Sequence, residues 1–129
     1  MIEEAVVAIL KARSQVTALV STRIRPQLLQ QGETMPAITY NVVDDSETYE
    51  TTGGSGLHNA LVDFVGWAND FATARNVAHE VRAALSGYSG GVGGVTVTYC
   101  RVRIGSGLYD SATQKYQRPV EAEIGYREG

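Results

Sequence analysis

Residues 57–85 read LHNALVDFVGWANDFATARNVAHEVRAAL, and this stretch decides the fold. Apolar residues occupy both alternating faces of residues 57–68, which is typical of a strand in the middle of a sheet. Asn69 or Asp70 then provides an N-cap for a helix. A helical stripe of apolar residues predicts that this helix ends at Leu85: Phe71, Ala74, Val77, Ala78, Val81 and Leu85. A buried strand followed at once by an amphipathic helix indicates a sheet with helices packed against it.

The preceding segments predict a further helix and further strands. The apolar residues of 2–12 recur at helical spacing, and Ser14 can cap a short additional turn. Pro26 makes residues 23–28 an irregular or edge strand, because proline lacks a backbone N–H. Residues 37–43 alternate and are rich in β-branched and aromatic side chains, which predicts a strand.

Residues 95–104 and 116–126 alternate as well and predict the last two strands. If these strands pair as a hairpin with their apolar faces aligned, four charged side chains share the other face: Arg101, Arg103, Glu121 and Glu123. The complete order is α-β-β-β-α-β-β. This order predicts an α+β fold with a mainly antiparallel sheet of four to five strands and two helices packed on one side. We expect a single domain over residues 1–129.

Three segments are predicted to be connections. Residues 44–56 are polar and acidic and end in a glycine cluster, which indicates the loop of a wide hairpin. Residues 87–94 are rich in glycine and predict a flexible connection rather than a packed segment. Residues 105–115 predict a turn. Most of the 14 glycines fall in these connections, which we interpret as mobile joints around a compact body.

Composition and charge narrow the function classes. Of the 129 residues 43% are apolar, enough for one core. The net charge of −3 argues against a dedicated nucleic-acid binder, which needs a clustered basic excess. Cys100 is the single cysteine, which excludes an internal disulfide and a multi-cysteine zinc site. The acidic start at Glu3 and Glu4 does not match an export signal, and no apolar stretch is long enough for a spanning helix, so no membrane partner is expected.

Four short motifs resemble catalytic, cofactor or metal sites, and each lacks a required part. The nucleophile-elbow letters at 87–91 lie between a helix and a strand, the reverse of the required order. The Gly-Ser-Gly at 105–107 lacks the third glycine of a dinucleotide loop. His79 lacks a second histidine one turn later, where Ala83 stands. The carboxylates of 44–47 do not alternate as a calcium loop requires. We therefore expect no catalytic residue, no cofactor and no metal.

Four short segments are informative through their order and spacing along the chain. Residues 23–26 read RIRP, 35–40 read MPAITY, 63–71 read DFVGWANDF before the helical stripe, and 116–124 read YQRPVEAEI. In order and spacing these segments resemble the tail completion, or tail terminator, family of long-tailed bacteriophages. The resemblance spans nearly the whole chain. The glycine-rich residues 87–94 are a departure, since a shorter link would serve.

The resemblance implies a structural protein and no enzyme. Members of the family form a ring, usually of six subunits, that caps the head-proximal end of the tail tube, stops its polymerisation and joins the tail to the neck. The implied partners are further copies of the chain, the major tail tube protein and a neck or head-completion protein. DNA passes through the lumen without specific binding. The implied location is the neck-proximal end of the tail in the virion, after assembly in the host cytoplasm.

The predicted connections over residues 44–56 and 105–115 are candidate interfaces within the ring or with the tube, with Tyr49 and Tyr109 as anchors. The complete set of candidate interface residues is Asp44, Asp45, Glu47, Tyr49, Glu50, Tyr109, Asp110, Arg101, Arg103, Glu121 and Glu123. The acidic balance also suggests a negative lumen through which DNA slides without sticking.

Two other functions stay open from the sequence. A head-side neck adaptor would share the composition and the lack of catalytic motifs. A small α+β enzyme is the more distant alternative.

Overall fold

A computed structural model of the chain describes residues 2–30, 32–50 and 53–128, with the backbone alone for 48–50 and 53–55. Its helices are α1 (Ile2–Ala12), α2 (Ser14–Val20) and α3 (Phe71–Leu85). Its strands are β1 (Ile24–Pro26), β2 (Ala37–Glu50), β3 (Gly53–Ala68), β4 (Gly90–Val92), β5 (Val95–Ile104), β6 (Leu108–Asp110) and β7 (Lys115–Glu128).

The strands form one sheet in the order β1-β2-β3-β7-β5-β4, with β6 paired to β7. β1 is parallel to β2, and the other described pairs are antiparallel. The mixed α+β class is confirmed, and so are the central position of β3 and the edge position of β1. The predicted number of elements is wrong, because the described residues form seven strands and three helices. The additional strands have three residues each, and such short segments carry no periodic pattern.

The N-terminal helical region is broken near the predicted position. α1 ends at Ala12 and α2 begins at Ser14. The predicted capping role of Ser14 is wrong, because Arg13 occupies the N-cap position and makes no side-chain capping hydrogen bond. The Ser14 hydroxyl instead donates to Gln15 Oε1 at 3.2 Å.

α3 begins as the sequence predicts. The Asp70 carboxylate accepts hydrogen bonds from the Thr73 backbone N–H at 3.0 Å and from the Thr73 hydroxyl at 2.7 Å. These bonds hold the pKa of Asp70 below its ordinary value. Gly66 in β3 lets the helix approach the sheet, because a Cβ there would lie 3.0 Å from Val77 Cγ1. The helix therefore packs directly onto the middle of the sheet.

All three helices pack against one face of the sheet and share a single buried cluster with it. The largest fully buried side chains in this core include Phe64 of β3, Leu85 of α3 and Tyr126 of β7. Cys100 of β5 also faces this core, and burial raises the pKa of its thiol to about 11. No described helix packs on the opposite face, which we call the open face. It carries Asn59, Leu61, Asp63, Tyr99, Arg101, Arg103, Glu121 and Glu123.

The prediction of a loop over residues 44–56 is wrong. β2 and β3 continue as paired strands through most of this segment, as far as the pairs Tyr49↔Gly54 and Glu50↔Gly53. Residues 51 and 52 lie outside the described residues. Residues 48–50 and 53–56 extend past Leu57↔Arg127, the last pair of β3 with β7, so the core does not require apolar side chains there. Irregularities between Val42 and Asp44 and between Glu47 and Tyr49 further disturb the alternation on which a strand prediction depends.

The prediction of a flexible connection at residues 87–94 is also wrong. β4 pairs with β5, and Gly93 and Gly94 form the two-residue turn between them with φ of +57° and +83°. Positive φ at both positions is what a tight hairpin turn requires. A Cβ on Gly93 would lie 2.8 Å from the backbone N of Ala5 in α1. This glycine is a packed contact with the first helix.

The turn predicted at residues 105–115 contains a short strand. β6 folds back on β7 with Tyr109 opposite Tyr116. The Asp110 carboxylate closes the turn by accepting hydrogen bonds from the Ala112 N–H and the Thr113 hydroxyl, both at 3.0 Å.

Candidate interaction surfaces

The hairpin extension over residues 44–56, which we call the acidic arm, contains four carboxylates and no lysine or arginine: Asp44, Asp45, Glu47 and Glu50. Its root is tied to the last strand. The Tyr126 hydroxyl donates to Asp45 Oδ2 at 2.6 Å, and the His58 ring stacks on the Tyr126 ring with centroids 5.0 Å apart. Burial and then the Asp45 carboxylate raise the pKa of Tyr126, so this phenol stays a donor. The arm is therefore anchored where it leaves the body.

The carboxylates of the arm lie on different faces of the sheet. Asp45 and Glu47 face the helix side, and each has a carboxylate oxygen 3.7 Å from a ring nitrogen of His58. Asp44 stands opposite Leu61 and so lies on the open face. Its side chain is exposed and makes no hydrogen bond or ion pair within the described part of the chain. The backbone of Tyr49 and Glu50 belongs to β2, and the side chains of both lie outside the described residues.

The open face carries the predicted cross-strand charge pairs. Arg101 stands opposite Glu123 and Arg103 opposite Glu121 in the register of β5 and β7, which confirms that these four residues share a surface. The nitrogen-to-oxygen distances are 3.9 Å and 3.3 Å. The arginine side chains are 82% and 80% exposed, so each pair contributes at most about 1 kcal/mol. Both guanidinium groups keep most of their surface for another partner.

An aromatic patch lies at the end of the sheet opposite the arm. Phe71, Leu108 and Tyr109 are 50%, 58% and 53% exposed. Tyr116 connects the two aromatic residues, with its ring centroid 4.8 Å from that of Tyr109 and 6.4 Å from that of Phe71. Exposed apolar side chains gathered in this way are typical of a protein interaction site. Asp110 beside the patch has its carboxylate engaged within the turn.

Arg118 adds a basic group to this patch. A Cβ on Gly107 would lie 3.3 Å from Phe71 Cε2 and 3.6 Å from an Arg118 guanidinium nitrogen, so both side chains border the same glycine. The Nε of Arg118 is buried and has no hydrogen-bond partner among the described residues. Burying an unpaired donor is costly.

The structure distributes the candidate residues over three places. Asp45 and Glu47 meet at the root of the arm, the Arg101, Arg103, Glu121 and Glu123 set lies on the open face, and Tyr109 with Asp110 lies at the patch. Leu108, Tyr116 and Arg118 were not predicted as interface residues, and Phe71 was assigned to the buried stripe of α3. That assignment is wrong, because Phe71 is half exposed at the first turn of the helix. Leu108 and Tyr109 are neighbouring apolar residues in a predicted turn, and this pattern was the sequence signal for the patch.

No group of three or more His, Cys, Asp and Glu side chains among the described residues could hold a metal ion. No helix within residues 2–30, 32–50 and 53–128 is both long and apolar enough to span a bilayer.

The small α+β fold and its separate exposed surfaces fit a structural protein that acts by assembly. The family model of Tail completion protein gp17 matches residues 4–127, so the chain belongs to the tail completion family. The resemblance seen in the sequence is thereby confirmed. The chain is a tail-associated structural protein of a phage or phage-like virion, and its family is one of virion proteins rather than enzymes.

A solved structure shares the fold. The chain is similar to one in the structure described as "Virion of native gene transfer agent (GTA) particle", with a TM-score of 0.74 and 19% sequence identity. The similarity covers 97% of this chain and 92% of that chain. A search of the curated proteins finds no match.

Proposed function

We propose that the protein forms a ring, of six subunits, that caps the head-proximal end of the tail tube, stops tube polymerisation and joins the tail to the neck. Membership of the tail completion family supports a role at the tail. The acidic arm and the aromatic patch lie at opposite ends of the long strand β3, and this separation supports a joining role. The strand has 16 residues at about 3.3 Å each, so the tip of the arm lies roughly 50 Å from the patch.

The candidate contacts divide between these surfaces. The acidic arm, with Asp44, Asp45, Glu47, Tyr49 and Glu50, and the turn with Tyr109 and Asp110 contact the tube or the neighbouring subunit. Tyr49 and Tyr109 act as anchors, because aromatic side chains contribute much of the binding free energy of interfaces. The chain works as a single domain over residues 1–129.

The partners follow from this role. They are further copies of the chain, the major tail tube protein and a neck or head-completion protein. The site of action is the neck-proximal end of the tail, reached by assembly in the host cytoplasm. DNA passes through the lumen without specific binding.

The net charge of −3 supports a lumen that is negative in part, because phosphate contacts would slow the passage of DNA. Mapping the charge on an assembled ring tests this prediction. A basic lumen would contradict it.

Adding the purified protein to polymerising tail tube subunits tests the capping function. We expect the protein at one end of each tube and an arrest of elongation, both measured by electron microscopy. An equal amount of serum albumin serves as the control for non-specific effects on polymerisation. Elongation at an unchanged rate, with no protein at tube ends, would contradict capping. Binding to the portal side instead would support the neck adaptor.

A further inference from the structure

β2 leaves a long open edge. On its outer side it pairs with β1 only at residues 38–40, and the Gln27 N–H closes this contact by donating to the Tyr40 carbonyl at 2.8 Å. None of the described strands pairs with the outer side of β2 over residues 41–50. An unpaired edge presents free N–H and C=O groups and is a template for another strand.

β5 leaves a second, shorter open edge on the other side of the sheet. It pairs with β4 only at residues 95–97, and the Gly87 N–H donates to the Cys100 carbonyl at 3.1 Å. Residues 101–104 have no strand on that side in the part of the chain that the structure describes. The molecule therefore has two strand edges that another chain can extend.

The two open edges have opposite charge. Asp44 projects from the β2 edge onto the open face and has no partner within the described residues. Arg101 and Arg103 project from the β5 edge onto the same face and are mostly exposed. If the edges meet, the carboxylate and the guanidinium groups come together on one continuous surface.

We propose that β2 of one copy pairs with β5 of the next copy, so that the sheet continues from subunit to subunit around the ring. This inference rests on the ring of the proposed function and names its contact. Neighbouring strands in the order β2-β3-β7-β5 are antiparallel, so β2 and β5 run in opposite directions within one chain. A copy related by rotation about a ring axis therefore presents its β2 antiparallel to the neighbouring β5, the more stable kind of pairing.

Charge also selects this contact over a two-fold dimer. A symmetric pairing of β2 with β2 would bring together the carboxylate-rich edges of two copies, and β5 with β5 would bring together their arginines. Like charges on facing strands are destabilising. The contact between different edges is heterologous, the type that closes into rings. The irregularity between Val42 and Asp44 interrupts the edge and confines the pairing to the residues beyond it.

A charge exchange tests this contact. One variant carries R101E and R103E, and the other carries D44K and S46K, which places two lysines on the open face of β2. Alone, each variant opposes like charges at every contact, and we expect association to weaken by roughly tenfold or more per contact. Mixed at equal amounts, the two variants oppose unlike charges at every contact. We expect the mixture to recover rings in which the variants alternate, with an even number of subunits.

Native mass spectrometry and electron microscopy read out the rings, both in free solution and on purified tail tubes, so that a ring formed only on a tube is counted. R75E with R82E is the matched control for R101E with R103E, because it makes the same change of charge on the exposed side of α3. This control should form rings like the wild type. Circular dichroism establishes that each variant is folded.

Rings from either charge-exchange variant alone, or a mixture of folded variants that does not recover rings, would overturn the edge contact. If the wild type still caps tubes, such a result leaves the proposed function standing. A wild type that neither forms rings nor binds tube ends would instead overturn the proposed function together with the contact.

Discussion

Replacing residues 48–52 with a short Gly-Ser link is expected to abolish capping without unfolding the monomer. The arm at this point lies beyond the last pair of β3 with β7, Leu57↔Arg127, so the core loses no side chain. The anchor at the root, where the Tyr126 hydroxyl binds Asp45, stays in place. The variant loses the candidate anchor Tyr49 together with part of the strand pairing at the tip. Tail length in an assembly reaction and the midpoint of thermal unfolding are the two measurements.

An R75A variant, altered on the exposed side of α3, is the control and should produce tails of normal length. Tails of normal length from the arm variant would contradict the assignment of the arm to the interface. A large fall in the unfolding midpoint would contradict the expectation that the arm is separate from the core.

G93A is expected to lower the free energy of unfolding by roughly 3 kcal/mol. A φ of +57° costs an alanine about 1 kcal/mol. The new Cβ would also lie 2.8 Å from the backbone N and Cα of Ala5. Because no side-chain rotation relieves a contact with the backbone, α1 must shift, which adds about 1–3 kcal/mol. Urea unfolding followed by circular dichroism measures the loss.

G94A is the matched control for this experiment. Gly94 has a φ of +83°, and a Cβ there would meet nothing within 4 Å. We expect a loss of only about 1 kcal/mol from the backbone conformation. Equal losses in the two variants would show that the turn does not pack on α1, as the sequence analysis expected for a flexible connection.

Local sequence patterns predicted the elements that have strong periodicity. α3 has an N-cap at Asp70 and an apolar stripe, and both depend on residues a few positions apart. β3 and the pairing of Arg101 and Arg103 with the glutamates of β7 follow from alternation along single strands. The acidic arm was missed, because its carboxylates lie on both faces of the sheet and the irregularities between Val42 and Asp44 and between Glu47 and Tyr49 disturb the alternation.

The candidate surfaces could be predicted only in part. Tyr109 was identified because an aromatic residue in a turn is a candidate contact, whereas Tyr116 and Arg118 belong to a predicted strand, where alternation alone does not indicate an interface. Phe71 fits the stripe of α3 by spacing but lies half exposed at the end of the sheet. Exposure at the end of a helix depends on where the neighbouring strands stop, which helical spacing does not encode.

The sequence by itself determined the α+β class, the capped helix α3 and the central strand β3, because each depends on side chains close together in the chain. It also carried the family resemblance, which rests on the order and spacing of short segments along the chain. Tertiary structure alone decided the contacts between distant segments, such as the hydrogen bond from Tyr126 to Asp45 across 81 positions. It also decided which strand edges stay open. β1 and β4 are short, so most of β2 and the end of β5 remain unpaired on their outer sides. An edge is therefore left free by the point at which its neighbouring strand ends rather than by its own residues.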